Sequence, residues 1–255
     1  MFPYIHLFNH SFTTFYFMIA VAIMTSAIYV IWQAHRRHLY IWHMIATCVI
    51  ASLSGLIGMR VFHILVEAPT YYLEHPSSVW NISNGGFVSW GAIIGLLVGT
   101  IAYLKIFKLS IRNYWDTLAL GFPIIFFFVR IGCLGTGCCY GKPTDLPIYV
   151  VFTDISTPAA QIYPGIAIHA VQLYSIIHSI IMFILLVIIA RKQTFRGQIV
   201  CSFLILYGIF RFIEELFRGD IGRGVYFNFI STGIIMSCFA ILFGIIGTIR
   251  FHSAN

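Results

Sequence analysis

The sequence predicts an all-α, polytopic membrane protein with about seven transmembrane helices, an N-terminus outside the cell, a cytoplasmic C-terminus and a small extracytoplasmic cap. The prediction rests on composition, on the number of long apolar stretches and on the distribution of basic residues. Of the 255 residues, 60% are hydrophobic and 9% are charged, and the mean hydropathy is +0.91. A chain this apolar cannot hide its hydrophobic surface in one soluble core. The lipid bilayer is therefore expected to be its main solvent.

Seven stretches have the roughly 20 predominantly apolar residues that an α-helix needs to cross a bilayer. They lie at residues 12–33, 41–62, 87–107, 114–133, 169–190, 198–217 and 228–249. The opening residues lack the basic region and cleavage signal of a secretory signal peptide, so the first stretch is expected to be a retained helix. Residues 1–255 are predicted to form one integral membrane domain.

Basic residues are unevenly distributed among the links between these stretches. The ends of the first, third, fifth and seventh stretches and the links after them hold nine: Arg36, Arg37, Lys105, Lys108, Arg112, Arg191, Lys192, Arg196 and Arg250. The opposite links hold three, which are Lys142, Arg218 and Arg223. Because basic residues are enriched in cytoplasmic links, the asymmetry predicts the orientation given above, which requires an odd number of spans. The chain has a net charge of +7, which in a soluble protein would suggest nucleic-acid binding. Here most basic residues flank apolar stretches, where they meet anionic lipid, so no nucleic-acid partner is expected.

The longest stretch outside the predicted spans, residues 135–168, contains four prolines and two aspartates. The predicted orientation places this stretch on the outer side of the membrane. We expect it to fold as the small cap.

Three arginines, Arg60, Arg130 and Arg211, fall within predicted spans. An arginine at the centre of a lipid-exposed helix costs roughly 2.5–3.5 kcal/mol on insertion scales, so such a residue usually has a function. Arg130 lies in the run FFFVRIGCLGTGCCYG, where it opens a segment that is too rich in glycine to continue as a helix. The three arginines are candidates for one shared site, and a buried guanidinium needs an anionic partner.

The sixth stretch carries a polar stripe. Tyr207, Arg211 and Glu215 recur every four residues and therefore share one helical face. Arg211 can pair with Glu215, and Glu214 can pair with Arg218. The alternative interpretation is that these pairs only hold helices together or extend to the membrane interface.

The fifth stretch begins with IHAVQLYS, which places His169, Gln172 and Tyr174 at its outer end. These residues are candidates for the site, although interfacial histidine and tyrosine are often simple belt residues.

Glycines precede the third stretch, at Gly85 and Gly86, and punctuate the segment after Arg130, at Gly132, Gly135, Gly137 and Gly141. Their backbone amides can approach an anion closely, and phosphate is the natural anion. Tight helix packing explains the same glycines equally well.

Cys133, Cys138 and Cys139 are close in sequence but lack a second cysteine pair or a histidine at zinc spacing, so no metal site is predicted. A disulfide involving Cys133 on an oxidising outer face remains an alternative.

The segments RIGCLGTGCCYGKPT, IHAVQLYS and YGIFRFIEELFR occur in this order, with GGFVSWGAIIG and the arginine of GLIGMRV upstream. Together they resemble the prolipoprotein diacylglyceryl transferase family of bacterial membrane enzymes, over Tyr16 to Ser237. The resemblance implies transfer of the diacylglyceryl group from phosphatidylglycerol to the lipobox cysteine thiol of a preprolipoprotein, with release of glycerol phosphate. It implies a multi-pass protein of the bacterial cytoplasmic (inner) membrane that needs no cofactor. The implied partners are phosphatidylglycerol, the preprolipoprotein signal peptide and membrane lipid.

The resemblance also implies roles for individual residues. The implied catalytic residues are Arg130, Arg211, Glu215 and His169. The implied substrate-binding residues are Arg60, Tyr207, Tyr16, Gly85, Gly86 and Gly132. Paired guanidiniums would hold the phosphate and stabilise the charge on the departing oxygens.

The chain departs from the family pattern at Trp90, where family members carry a histidine proposed as the base for the thiol. An indole cannot take a proton there, so the arginines or His169 would have to assist the thiol. The alternatives are a divergent, non-catalytic lipid-binding paralogue and a small anion transporter.

Overall fold

Helices form along the long apolar stretches of the chain. The computed structural model describes residues 3–7, 10–81, 88–220, 225–226 and 230–253. In this part of the chain, five helical segments are long and apolar enough to cross a membrane: Thr14–Arg36, Ile41–Glu67, Ile111–Thr136, Val171–Arg191 and Thr232–Ser253. The prediction of a helical, polytopic membrane protein is therefore confirmed.

Two of the seven predicted spans match helices that depart from an ordinary membrane span. The stretch 87–107 corresponds to helix α4, Ser89–Ile106, whose apolar part is only Trp90–Ile106. The stretch 198–217 corresponds to helix α9, Gln198–Phe217, which is long enough but carries an arginine and two glutamates. The number seven stays a prediction.

The chain divides into two compact units, residues 31–114 and residues 1–30 with 115–255. In the unit of residues 31–114, helix α2 (Ile41–Phe62) continues as a wider helical turn to Glu67. Helix α3 (Pro69–Glu74) and a tight turn at Pro76–Trp80 follow, before α4. Helices α2 and α4 pack through glycines, because a Cβ atom added at Gly58 would overlap the carbonyl of Gly91.

The other unit begins with an antiparallel hairpin of β1 (Tyr4–Leu7) and β2 (His10–Thr13). Its helices are α1 (Thr14–Arg36), α5 (Ile111–Ala119), α6 (Phe122–Thr136), α8 (Val171–Arg191), α9 and α10 (Thr232–Ser253). The boundaries between the two units fall inside α1 and α5, so part of each of these helices belongs to the unit of residues 31–114. Helix α8 packs against α6 and α9, and α9 packs against α10. The centre is an apolar cluster made of Ala119, Leu120, Met182, Leu186, Ile199 and Phe203.

The segment predicted as a cap has a small core of its own. Strands β3 (Tyr149–Val151) and β4 (Ala167–His169) pair antiparallel, and helix α7 (Pro158–Ile162) lies between them in sequence. Its buried hydrophobic residues are Tyr140, Phe152, Ala159, Ala160 and Ile168. The position of this segment outside the membrane stays a prediction. A short ladder of β5 (Val225–Tyr226) and β6 (Ile230–Ser231) precedes α10.

Asp116 on α5 caps the start of α9 from a distance. Its carboxylate accepts hydrogen bonds from the backbone amides of Gly197, at 2.7 Å, and Val200, at 2.9 Å. It also accepts one from the Gln193 side chain, at 2.6 Å. Val200 is the third residue of α9, so Asp116 satisfies an amide that a local capping residue would usually satisfy. This buried carboxylate fixes where α9 begins, and α9 carries the charged residues of the candidate site.

We expect Asp116→Asn to destabilise the protein. The asparagine side chain has only one acceptor oxygen for the donors of Gln193, Gly197 and Val200, and its own NH₂ group would face some of these donors. The expected loss is about 1–3 kcal/mol per donor left unsatisfied. Thermal unfolding in detergent measures it, with the exposed Asp145→Asn as the matched control. Equal melting temperatures for the two variants would show that the Asp116 contacts do not stabilise α9.

Candidate functional site

Helix α9 places one arginine and two glutamates at its C-terminal end. Arg211 Nη2 lies 2.8 Å from Glu215 Oε2, one helical turn away, and Arg211 Nη1 lies 3.7 Å from Glu214 Oε2. The Glu215 side chain is 1% exposed and that of Glu214 is 7% exposed. Carboxylates buried to this extent require positive partners, and the helical spacing supplies the first one.

Helices α6 and α8 bring two further groups to Glu214. Arg130 of α6 places its Nη2 3.7 Å from Glu214 Oε2. His178 of α8 places its Nδ1 3.0 Å from Glu214 Oε1, and its ring stacks on Phe210 with centroids 4.7 Å apart. Glu214 therefore contacts residues from three helices, and we call Arg130, Arg211, His178, Glu214 and Glu215 the Glu214 cluster.

The two arginines of the Glu214 cluster keep donors that the protein does not use. A guanidinium has five N–H donors. Within the described residues, the buried Nη1 atoms of Arg130 and Arg211 have no hydrogen-bond partner. The 3.7 Å contact from Arg130 to Glu214 is longer than a hydrogen bond. Buried polar groups are nearly always satisfied, so two such donors on neighbouring guanidiniums are suited to an anionic ligand.

Helix α10 closes against the Glu214 cluster at a glycine. A Cβ atom added at Gly233 would lie 2.5 Å from Glu215 Oε2 and 2.7 Å from its carboxyl carbon. Because glycine has no side chain, α10 can lie directly against the buried Glu215 carboxylate. Glu215 is therefore enclosed between α10 and Arg211.

Arg218, directly after α9, has different partners from those predicted. It forms a two-point contact with Asp220, Nε to Oδ1 at 2.8 Å and Nη2 to Oδ2 at 2.5 Å. Its Nη1 also lies 3.7 Å from Glu215 Oε2. Burial disfavours the charged form, but the Asp220 hydrogen bonds hold the pKa of Arg218 above its usual range. The predicted pairing of Glu214 with Arg218 is thus replaced by pairing with Asp220 and Glu215.

A short stretch of the cap is tied to the end of α9. Lys142 donates its backbone amide to the Phe217 carbonyl at 2.9 Å, and Gly219 donates to the Tyr140 carbonyl at 3.0 Å. The Lys142 carbonyl accepts from the amide of His169 at 2.9 Å. The end of α9 and the start of α8 are therefore held by the same piece of backbone.

His169, predicted as catalytic, lies at this junction. Its Nδ1 is 3.4 Å from the Tyr174 hydroxyl, and its ring centroid is 5.0 Å from that of Phe217. The side-chain contacts of His169 are thus with aromatic residues, whereas the His178 side chain contacts Glu214.

The other predicted residues of this unit occupy different surroundings. Tyr207 lies one turn before Arg211 and stacks on Phe126, with centroids 5.3 Å apart. Helix α6 continues through Gly132 to Thr136, so the expectation that the helix stops after Arg130 is wrong. Gly132 packs against α1, where an added Cβ would lie 3.1 Å from the Met18 Cβ, in agreement with the packing interpretation. Tyr16 on α1 is 70% exposed.

Arg60 belongs to the unit of residues 31–114. Its guanidinium donates to the carbonyl oxygens of Ser78, at 2.8 Å, and Asn81, at 2.9 Å. It also lies over the Tyr72 ring, 5.4 Å from the centroid. These contacts anchor the tight turn after α3. Gly85 and Gly86 lie outside the described residues, and Trp90 is half-buried near the start of α4.

Sequence reasoning missed the central position of Glu214 and its contact with His178. The spacing of Arg211 and Glu214, three residues apart, was a readable signal for their pairing. Nothing in the sequence linked His178 to Glu214, because that contact depends on how α8 packs on α9.

The membrane-length helices, with arginines buried among them, define an integral membrane protein. The chain belongs to the prolipoprotein diacylglyceryl transferase family, whose model matches residues 4–250. The resemblance predicted from the motifs is confirmed.

Curated relatives agree with this assignment. The chain is 31% identical over 228 residues to the phosphatidylglycerol–prolipoprotein diacylglyceryl transferase of Clostridium tetani, covering 89% of this chain and 88% of the relative. It is 29% identical over 237 residues to the Clostridium perfringens protein named phosphatidylglycerol–prolipoprotein diacylglyceryl transferase 2, covering 90% and 87%. The Campylobacter lari transferase is 31% identical over 205 residues, covering 76% and 72%.

We expect Glu214→Gln to lower the melting temperature in detergent. The substitution keeps the side-chain shape but removes the negative charge that Arg130 and Arg211 share. Breaking a buried ion pair typically costs about 3–5 kcal/mol. The exposed Glu74→Gln is the control, and a loss no larger than that of the control would show that Glu214 does not stabilise the arginines.

Proposed function

We propose that this protein transfers the diacylglyceryl group of phosphatidylglycerol to the lipobox cysteine thiol of a preprolipoprotein. The observation that carries the proposal is the pair of unsatisfied, buried Nη1 atoms on Arg130 and Arg211. The names of the curated relatives supply the substrates. The alternatives of a lipid-binding paralogue and an anion transporter have no comparable support.

The reaction breaks one carbon–oxygen bond and forms one carbon–sulfur bond. The substrate thiolate attacks the glyceryl carbon that carries the phosphate, and glycerol phosphate leaves with the bonding electrons. The phosphate group changes from a diester with one negative charge to a monoester with a second developing charge. Arg130 and Arg211 are suited to this change, because guanidiniums donate bidentate hydrogen bonds to phosphate oxygens and stabilise charge that grows in the transition state.

The carboxylates of the Glu214 cluster have a positioning role in this proposal. Glu215 holds Arg211 through its 2.8 Å contact, and Glu214 lies between the two arginines. A guanidinium fixed by a buried carboxylate needs no reorganisation when the ligand arrives. Tyr207, one turn before Arg211, and the exposed Tyr16 remain proposed lipid contacts, as do Arg60, Gly85, Gly86 and Gly132.

The thiol must lose a proton, and Trp90 cannot accept it. His178 is suited to this step, because Glu214 accepts from Nδ1–H and leaves the Nε2 lone pair as the proton acceptor. The arrangement resembles other pairs in which a carboxylate orients a histidine base. His169 is the second candidate, since it is implied by the family motif.

The remaining topology also belongs to this proposal. Seven spans, an outer N-terminus and a cytoplasmic C-terminus are supported by the nine basic residues against three in the links. The same orientation makes residues 135–168 an extracytoplasmic cap within one membrane domain. We assign the protein to the bacterial cytoplasmic (inner) membrane, where phosphatidylglycerol and preprolipoproteins meet.

We expect Arg130→Ala and Arg211→Ala each to reduce transfer by about 100-fold or more, the scale seen when one charge-stabilising donor is removed. The assay uses purified protein, phosphatidylglycerol vesicles and a lipobox peptide, and mass spectrometry detects the thioether product. The exposed Arg196→Ala is the control. Retained activity in either variant would remove the phosphate assignment. Lipid binding without product from the unmodified protein would favour the paralogue, and anion flux in proteoliposomes would favour the transporter.

We expect His178→Gln to lower the rate at neutral pH and to make it rise with pH, because the thiol must then ionise unaided with its pKa near 8.5. His169→Gln is the comparison. A pH profile changed only by His169→Gln would transfer the role of base to His169. Profiles unchanged in both variants would leave the arginines as the only assistance to the thiol.

A further inference from the structure

Three thiols meet at the end of α6. Cys133 lies in the last turn of the helix, and Cys138 and Cys139 follow the turn that ends it. All three are free thiols, and their Sγ atoms lie within 4.8 Å of one another. The spacing of these cysteines matches no zinc motif. The chain reverses after α6, and this reversal brings Cys138 and Cys139 back to Cys133.

The loop that brings the thiols together is closely held. Gly137 has a φ of 68°, and a Cβ added there would lie 2.8 Å from the Thr157 Cβ. Cys139 itself has a φ of 54°, a left-handed conformation that costs a residue with a side chain about 1 kcal/mol or more. The fully buried Gln172 donates its Nε2 to the Cys138 carbonyl at 2.8 Å. The backbone is therefore fixed with the three thiols facing one point.

We propose that Cys133, Cys138 and Cys139 bind one soft, thiophilic metal ion, for which Cu(I) is the best fit. Soft thiolate ligands favour Cu(I), which accepts a trigonal set of three sulfurs. With a metal–sulfur bond of about 2.3 Å, a trigonal site places its sulfurs about 4 Å apart, and the three sulfurs here all lie within 4.8 Å of one another. Within the described residues, no histidine or carboxylate completes a fourth ligand position, so a closed tetrahedral zinc site fits less well.

Such a site is negatively charged when it is occupied. One Cu(I) ion and three thiolates carry a net charge of −2, and binding releases the three thiol protons. Arg130 and Arg218 lie close enough to act electrostatically on Cys139. Their positive charges attract the thiolates, while Arg130 also pairs with Glu214, and Arg218 with Asp220 and Glu215.

The test is a Cu(I) titration of the full-length protein in detergent, without oxygen and in competition with a chromophoric Cu(I) chelator. We expect uptake of one Cu(I) per chain and a higher melting temperature on binding. Removing a group that only hydrogen-bonds to a metal ligand typically weakens metal binding roughly 10- to 100-fold. Cys138→Ser and Cys139→Ser each remove a ligand and should therefore weaken Cu(I) binding by more than this. Cys48→Ser and Cys238→Ser, outside the thiol group, should leave uptake unchanged.

Two further measurements do not depend on variants that fold. X-ray absorption of the Cu(I)-loaded protein should give a shell of three sulfurs, and a shell dominated by nitrogen or oxygen would overturn the proposal. Alkylation and mass spectrometry of protein taken from membranes without reductant should find the three thiols free. A disulfide among them would overturn the proposal and establish the alternative of an oxidised pair. Uptake that is the same in the cluster and control variants would also overturn it.

Discussion

The need to neutralise charge inside a membrane governs the arrangement of this protein. Arg130 and Arg211 come from different helices, and both are largely buried. The carboxylate of Glu214 lies between them and also accepts from His178. A single acidic side chain thus fixes the packing of α6, α8 and α9, because moving any one of these helices would leave a charge buried without its partner.

Other features of the fold support this cluster. Asp116 fixes the first turn of α9 by accepting from its amides. At the other end, backbone hydrogen bonds from the cap hold Phe217 and Gly219. Gly233 allows α10 to lie against the Glu215 carboxylate. The helix that carries the charges is therefore held at both ends and along one side, which pre-organises Arg211 for the phosphate of the proposed function.

The end of α6 and the loop after it carry residues of both proposed sites, the phosphate site and the thiol site. Arg130 precedes Cys133 by about one helical turn, and the loop after α6 carries the other two thiols. On the proposed function, the arginine serves the departing phosphate while the thiols lie beside it. An occupied thiol site would connect the end of α6 to the following loop, and so would stiffen the segment from which Arg130 projects.

The sequence by itself determined the membrane class, the positions of most helices and the family, because apolar length, basic flanks and short motifs are local properties of the chain. It also identified Arg130, Arg211 and Glu215 as candidates, since an isolated charge in an apolar stretch is conspicuous. Only the tertiary structure decided that Glu214 is shared by two arginines, that His178 contacts it while His169 lies among aromatic rings, and that three cysteines converge. These contacts join residues from different helices or from both sides of a chain reversal, and side-chain periodicity along one helix carries no information about them.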